Sequence, residues 1–196
     1  MAARRGKADD PTTRNAILDS AEALMVNEGY AAVTSRRVAA GAGVNSALVY
    51  YYFDTMDGLF IALFRRGADR SFDRLEETLS SPQPLWQFWD FIHDPSNSAR
   101  TMEFIALANH RKAIQAEIAD YSRRFRKREL ELLTSVLEGY GLDPVRWPPA
   151  SIVLSLSGLS RFMLIEQAFG VDVGHADTIA VIEREIRALE GDRSSR

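Results

Sequence analysis

The stretch Thr34-Ser35-Arg36-Arg37-Val38-Ala39-Ala40-Gly41-Ala42-Gly43-Val44-Asn45-Ser46-Ala47-Leu48-Val49-Tyr50-Tyr51-Tyr52-Phe53 decides how the rest of the chain is read. Thr34 stands immediately before an apolar-periodic run, so it predicts a cap and a short helix through Val38 and Ala39 to about Gly41. Gly41-Ala42-Gly43-Val44 then makes a tight turn in which Gly43 tolerates a left-handed backbone. Asn45 caps the following short helix, which runs through Tyr52. Two short helices joined by a glycine-containing turn form a helix-turn-helix, the unit whose second helix enters the DNA major groove. Ala39 is small enough for a close helix crossing, and Val44 and Val49 can plug the space between the helices. Ser46, Ala47, Leu48, Tyr50 and Tyr51 are left on or near the outer side.

Outward from this stretch, almost every periodic segment has the helical period, and the fold class is all-α. A first helix follows Pro11, with Thr12 or Thr13 as cap and Ile17, Ala21, Leu24 and Met25 on one face, and ends at Gly29. Residues 54–57 open a long fourth helix that stops before Ser80-Ser81-Pro82. An aromatic segment, 85–92, ends at Asp94-Pro95, and helices are predicted over 100–110, 113–137, 149–169 and 177–189. This divides the chain into a three-helix head, 1–53, and a six-helix body, 54–196.

Composition sets the outer limits. Of 196 residues 46% are hydrophobic and 26% charged, which excludes a chain disordered throughout, a collagen or a coiled-coil rod. The absence of cysteine removes disulfides, thiolate metal sites and cysteine nucleophiles. The net charge is −3; residues 1–53 hold six basic and five acidic residues, leaving 18 and 22 for the remainder. So weak an asymmetry does not by itself identify a nucleic-acid binder. The first ten residues lack the apolar core of a secretory signal, and the uncharged run 147–160, interrupted by serines and stopped by Arg161, suits a buried helix better than a membrane span. The expected compartment is the cytoplasm. His93, His110 and His175 share no metal-ligand spacing, and Ser157-Gly158-Leu159-Ser160 lacks the frame of a nucleophile elbow. No metal, cofactor or enzymatic activity is expected.

With the preceding helix and the Gly29-Tyr30 step, residues 34–53 resemble the DNA-binding signature of the TetR/AcrR family of bacterial regulators. The resemblance is strong over roughly the first third of the chain and architectural beyond it. It implies double-stranded operator DNA as a partner, with Arg36 reaching a base edge, most plausibly guanine O6 and N7 in a bidentate pair. Thr34, Ser35 and Arg37 would sit beside phosphates. Ser46, Ala47 and Leu48 would face bases, Asn45 at the helix start is counted with them, and Tyr50 and Tyr51 would offer hydroxyls to phosphate oxygens. Tyr52 and Phe53 read as packing. Three positions depart from the family pattern: Leu48 is bulkier than the usual alanine or threonine, Tyr52 replaces a common histidine, and Met56 stands where a lysine commonly approaches the backbone. The last predicts a shallower salt dependence, with Arg4, Arg5 and Lys7 as a source of replacement charge.

For the body, the resemblance implies a small-molecule effector bound between helices and a homodimer formed by the last two helices. Trp86, Trp89, Met102, Phe104, Phe125 and Phe162 are the candidate apolar wall, with Asn109 and His110 among the polar groups, which leans toward a hydrophobic or aromatic effector. Ile152, Leu156, Leu159 and Met163 form one candidate dimer stripe and Ile179, Ile182 and Ile186 the other. The basic run 123–128 reads as a solvated face, with Asp120–Arg124 and Lys127–Glu131 pairs at helical spacing. The implied function is a ligand-responsive transcriptional regulator, a repressor by default, on a palindromic operator. The alternative is a helical interaction protein or ligand sensor that has lost specific DNA binding.

Overall fold

The structure, a computed structural model, describes residues 11–194, and among these the regular elements are nine α-helices and one 3-10 turn, with no strand. The basic arm of Arg4, Arg5 and Lys7 lies outside the described residues. In chain order the helices are α1 (Pro11–Glu28), α2 (Ser35–Gly41), α3 (Ser46–Phe53), α4 (Met56–Leu79), α5 (Pro84–Ile92), α6 (Pro95–Ala108), α7 (Lys112–Gly139), α8 (Pro149–Ala168) and α9 (His175–Glu190). The 3-10 turn, Tyr30–Ala32, is not marked in the sequence, and it follows Gly29 at φ 83.

Three starts differ from expectation: α1 begins at Pro11 and already contains Thr12 and Thr13, neither of which therefore caps it, while α6 and α9 begin early, each at a local contact. Helix α6 begins at Pro95 because the Asp94 carboxylate accepts from the backbone N–H of Ser96 at 3.0 Å and from the Ser96 hydroxyl at 2.6 Å, capping a helix that takes proline in its first turn. The Asp94-Pro95 pair thus ends one helix and starts the next. Helix α9 begins at His175, where the ring Nε2 lies 2.8 Å from Glu166 Oε2.

The chain forms two compact units, one of Met1–Asp69 with Ala99–Tyr121 and one of Arg70–Ser98 with Ser122–Arg196. The first unit therefore runs past position 53, and its core explains why. Ile17, Leu18, Ala21 and Met25 of α1, Val38 and Ala39 of α2, and Val49 and Phe53 of α3 close on Leu59, Phe60 and Leu63 of α4. Phe104, Leu107 and Ile114 complete the same buried cluster. The helix-turn-helix cannot bury its inner face without them.

The second unit is organised around α5. Six of its nine residues are buried, including Trp86, Phe88 and Trp89, so this helix is apolar nearly all round. Leu75, Leu79, Leu133, Leu137, Val153, Met163 and Ile186 surround it. The N-terminus of α5 has no side-chain cap of its own; the Glu190 carboxylate supplies one from the chain's other end, accepting from Leu85 N–H at 2.8 Å, Trp86 N–H at 3.0 Å and the Tyr140 hydroxyl at 2.7 Å.

Candidate nucleic-acid interface

Both caps read from the sequence are present. Thr34 Oγ1 accepts from the Arg37 backbone N–H at 3.4 Å, and Asn45 Oδ1 accepts from Leu48 N–H at 3.1 Å. Gly43 takes φ 67 in the turn between α2 and α3, a left-handed geometry that costs glycine little. Ser20 Oγ donates to the Val38 carbonyl at 2.9 Å, holding α2 against α1. At the far end, α3 passes to α4 so tightly that a Cβ on Gly58 would lie 2.0 Å from the Phe53 carbonyl oxygen.

This frame sorts the side chains. Val38, Val49 and Phe53 are buried and Tyr52 packs against the same core, whereas Tyr50 and Tyr51 are 47% and 58% exposed. Thr34, Arg36, Arg37, Asn45 and Ala47 are exposed; Ser35, Ser46 and Leu48 are half-buried. The Tyr50 hydroxyl donates to Ser35 Oγ at 3.3 Å, tying α3 to the start of α2. Met56 is half-buried against the core.

The two adjacent arginines are not equivalent. Arg36 makes no ion pair among the described residues. Arg37 Nη2 donates to Glu28 Oε1 at 2.6 Å. That hydrogen bond holds the Glu28 carboxyl below its ordinary range and moves the Arg37 guanidinium upward. Sequence reasoning missed the pair, because Glu28 becomes a neighbour of Arg37 only once the Gly29 step and the 3-10 turn have redirected the chain.

The eight residues expected around an effector are not gathered in one core. Phe104 is buried in the first unit, with Met102 half-buried and Asn109 and His110 exposed there. In the second unit Trp86 and Trp89 are buried, Phe125 packs against their cluster and Phe162 is 58% exposed. The second unit does contain an open cleft of about 880 Å3, whose lining includes Arg74, Glu77, Asp90, His93, Glu183 and Arg193; of the expected residues only Trp89 reaches it. His93 Nδ1 is 2.9 Å from Ser160 Oγ, and Ser160 spends its own proton on the Ile92 carbonyl at 2.8 Å. Nδ1 is therefore the donor. Burial is the main cause holding the His93 imidazole below its ordinary value.

The residues of the expected dimer stripes are divided between the chain's own core and its surface, with Leu159 exposed and Leu156 half-buried. Met163 and Ile186 are 3% and 7% exposed within the chain's own core, and Ile152, Ile179 and Ile182 pack against that core. The apolar residues left outward are Leu154, Leu159 and Phe162 on α8, Phe169 just past its end, and Val181 and Leu189 on α9. The run 147–160 is accordingly not the buried helix that its composition suggests, since Leu154 is 61% exposed. Helix α8 is long and apolar enough to cross a membrane, by length and composition alone. On α7, Glu131 pairs with Arg128 at 3.4 Å instead of Lys127, and Arg128 also binds Glu76 on α4.

Residues 17–63 match the family described as bacterial regulatory proteins, tetR family. No curated protein matches the chain. Among solved structures, a TetR transcription regulator from Haloarcula marismortui ATCC 43049 aligns with TM-score 0.67 and 17% identity, over 90% of this chain and 97% of its own. The fatty acid degradation regulator FadR from Bacillus halodurans aligns with TM-score 0.64 and 18% identity, over 99% and 100%. The multidrug binding protein EbrR, complexed with imidazole, aligns with TM-score 0.60 and 23% identity, over 85% and 89%. At such identities these likenesses show the fold.

Proposed function

We propose that this chain, whose residues 17–63 match the tetR family of bacterial regulatory proteins and whose all-α fold is like that of solved transcriptional regulators, is a ligand-responsive repressor that binds a palindromic operator as a homodimer. The observation that carries this reading is the outward face of the helix-turn-helix. On it Arg36, without an ion pair among the described residues, Asn45 and Ala47 at the start of α3, and the phenols of Tyr50 and Tyr51 are exposed. Arg36 reads a base edge, Ser46, Ala47 and Leu48 face bases, and the tyrosines position the head on phosphates.

One head reads too few bases for useful affinity, so a partner is needed. The exposed Leu154 and Phe162 of α8, Phe169 just past its end and Val181 of α9 are the surface a second copy would cover. Covering it also accounts for an α8 that is apolar yet outward-facing in a cytoplasmic protein. The effector is a small molecule taken by the body, a reading supported by two structural neighbours, a multidrug binding protein and a fatty acid degradation regulator. Its action requires two body states that space the heads differently, only one of them matching successive major grooves about 34 Å apart. Moving such a balance from mostly bound to mostly free takes about 5.5 kcal/mol of differential affinity.

The test is duplex binding by the full chain across a salt series. The proposal expects sequence-dependent affinity weakened by Arg36→Ala and by Tyr50→Phe. Weak binding indifferent to sequence and to both substitutions favours a helical sensor without specific DNA recognition.

A further inference from the structure

Resting on the reading that the head binds an operator, we propose that Glu28 determines the specificity of that binding. Its carboxylate occupies Arg37 as a DNA phosphate would, and so withholds that cation from the duplex.

Among residues 11–53 the cations are Arg14, Arg36 and Arg37. Arg14 lies over the Phe53 ring, 5.1 Å from its centroid. Arg37 is held by Glu28 at 2.6 Å, which leaves Arg36 without an ion pair among the described residues. The geometry of the pair is built by the backbone on both sides. Glu28 is the last residue of α1, and the next step is fixed by Gly29 N–H bonding the Met25 carbonyl at 3.0 Å and by Tyr30 N–H bonding the Glu103 carboxylate at 2.6 Å. Arg37 is placed by the Thr34 cap on its own N–H. The two side chains therefore meet because α1 and α2 are held where they are, not because two long side chains happen to find each other.

A guanidinium already paired with a carboxylate adds no net charge at the duplex, and net charge is what displaces counterions and supplies sequence-independent affinity. Subtracting Arg37 from that term leaves affinity more dependent on what Arg36 reads. The cost of low general affinity is returned as a higher ratio of specific to non-specific binding, which is the quantity that matters against a genome of competing sites. This gives the nearly neutral head a physical role.

The experiment uses the full chain, an operator selected from random duplexes, and one scrambled duplex. Glu28→Gln is expected to raise affinity for the scrambled duplex about threefold to tenfold and to steepen the log affinity against log salt slope by about 0.9, one added phosphate contact. Glu28→Asp, which keeps the charge, keeps the wild-type slope. Removing an acid near DNA relieves repulsion whatever Arg37 does, so Arg37→Ala is measured in both backgrounds. In the wild type it is expected to leave the salt slope unchanged, although the bared Glu28 lowers affinity, and in Glu28→Gln to remove the added slope. An unchanged slope in Glu28→Gln, or an equal effect of Arg37→Ala on the slope in both backgrounds, overturns the proposal. If the wild-type chain selects no operator at all, the DNA reading itself fails, a result distinct from a specific wild type that is insensitive to Glu28→Gln. Thermal unfolding of each variant confirms that the comparison is between folded proteins.

Discussion

The carboxylate of Glu103, on α6, accepts a 2.6 Å hydrogen bond from the backbone N–H of Tyr30, 73 positions earlier in the chain. The 3-10 turn that begins at Tyr30 is preceded by Gly29, which has no side chain to cap it, so α6 supplies the acceptor that local sequence lacks. This contact fixes the entry to α2 and, through it, the face on which Arg36 stands.

Removing that acceptor leaves a half-buried N–H unsatisfied. Glu103→Ala is expected to cost about 1 to 3 kcal/mol in urea unfolding and to weaken operator binding, while Glu103→Gln, which retains an acceptor oxygen, recovers part of both.

Two glycines of the head make opposite demands. Gly58→Ala places a Cβ 2.0 Å from the Phe53 carbonyl oxygen, backbone that cannot swing away, so the junction of α3 with α4 must shift. Gly43→Ala meets no atom within 4 Å and is opposed only by φ 67, at about 1 to 2 kcal/mol. Denaturant midpoints should show Gly58→Ala as the more damaging of the two, and operator affinity should follow the same order.

Glu129 on α7 is 3% exposed, and its Oε2 lies 3.2 Å from Arg126 Nη1 with neither atom in a hydrogen bond. Burial pushes its carboxyl up to about 6 from an ordinary 4.5, the Arg126 and Arg161 charges opposing the rise. The folded state then binds the extra proton between those values, so stability falls as pH rises from 4.5 to about 6, and the penalty is full above that. Its size is about 2 kcal/mol. Glu129→Gln should flatten this part of the stability profile and raise stability near neutral pH, as read by chemical denaturation at several pH values.

Substitutions on α8 and α9 test the proposed dimer surface apart from the chain's own core. Phe162→Glu, at a side chain 58% exposed, should yield a folded monomer by light scattering. Ile186→Ala, at 7% exposure, should instead lower the stability of the chain by about 2 to 4 kcal/mol.

The head was legible because its signals are local. A cap, a left-handed turn residue and an inner apolar pair occupy fixed offsets between Thr34 and Val49, and the structure realises each of them. What escaped depends on residues far apart in the chain. Glu103 reaching Tyr30, Glu190 capping α5 and Glu28 holding Arg37 are juxtapositions made by tertiary packing, and no helical period encodes them. The expected dimer stripes are divided for another reason. Helix α8 is apolar on more than one face, so periodicity could not say which residues the chain keeps for its own core. Met163 and Ile186 went inward, Ile152, Leu156, Ile179 and Ile182 are half-buried, and Leu159 stayed out.

The most direct measurement is selection of the full chain on a library of random duplexes, followed by binding of Arg36→Ala to every single-base variant of the enriched site. The account predicts a twofold-symmetric site whose half-sites are centred about 10 base pairs apart or a multiple of that. It also predicts that Arg36→Ala loses about 1 to 3 kcal/mol and relaxes discrimination at one base pair in each half-site. Enrichment of no sequence, or a loss spread evenly over all sequences, contradicts it.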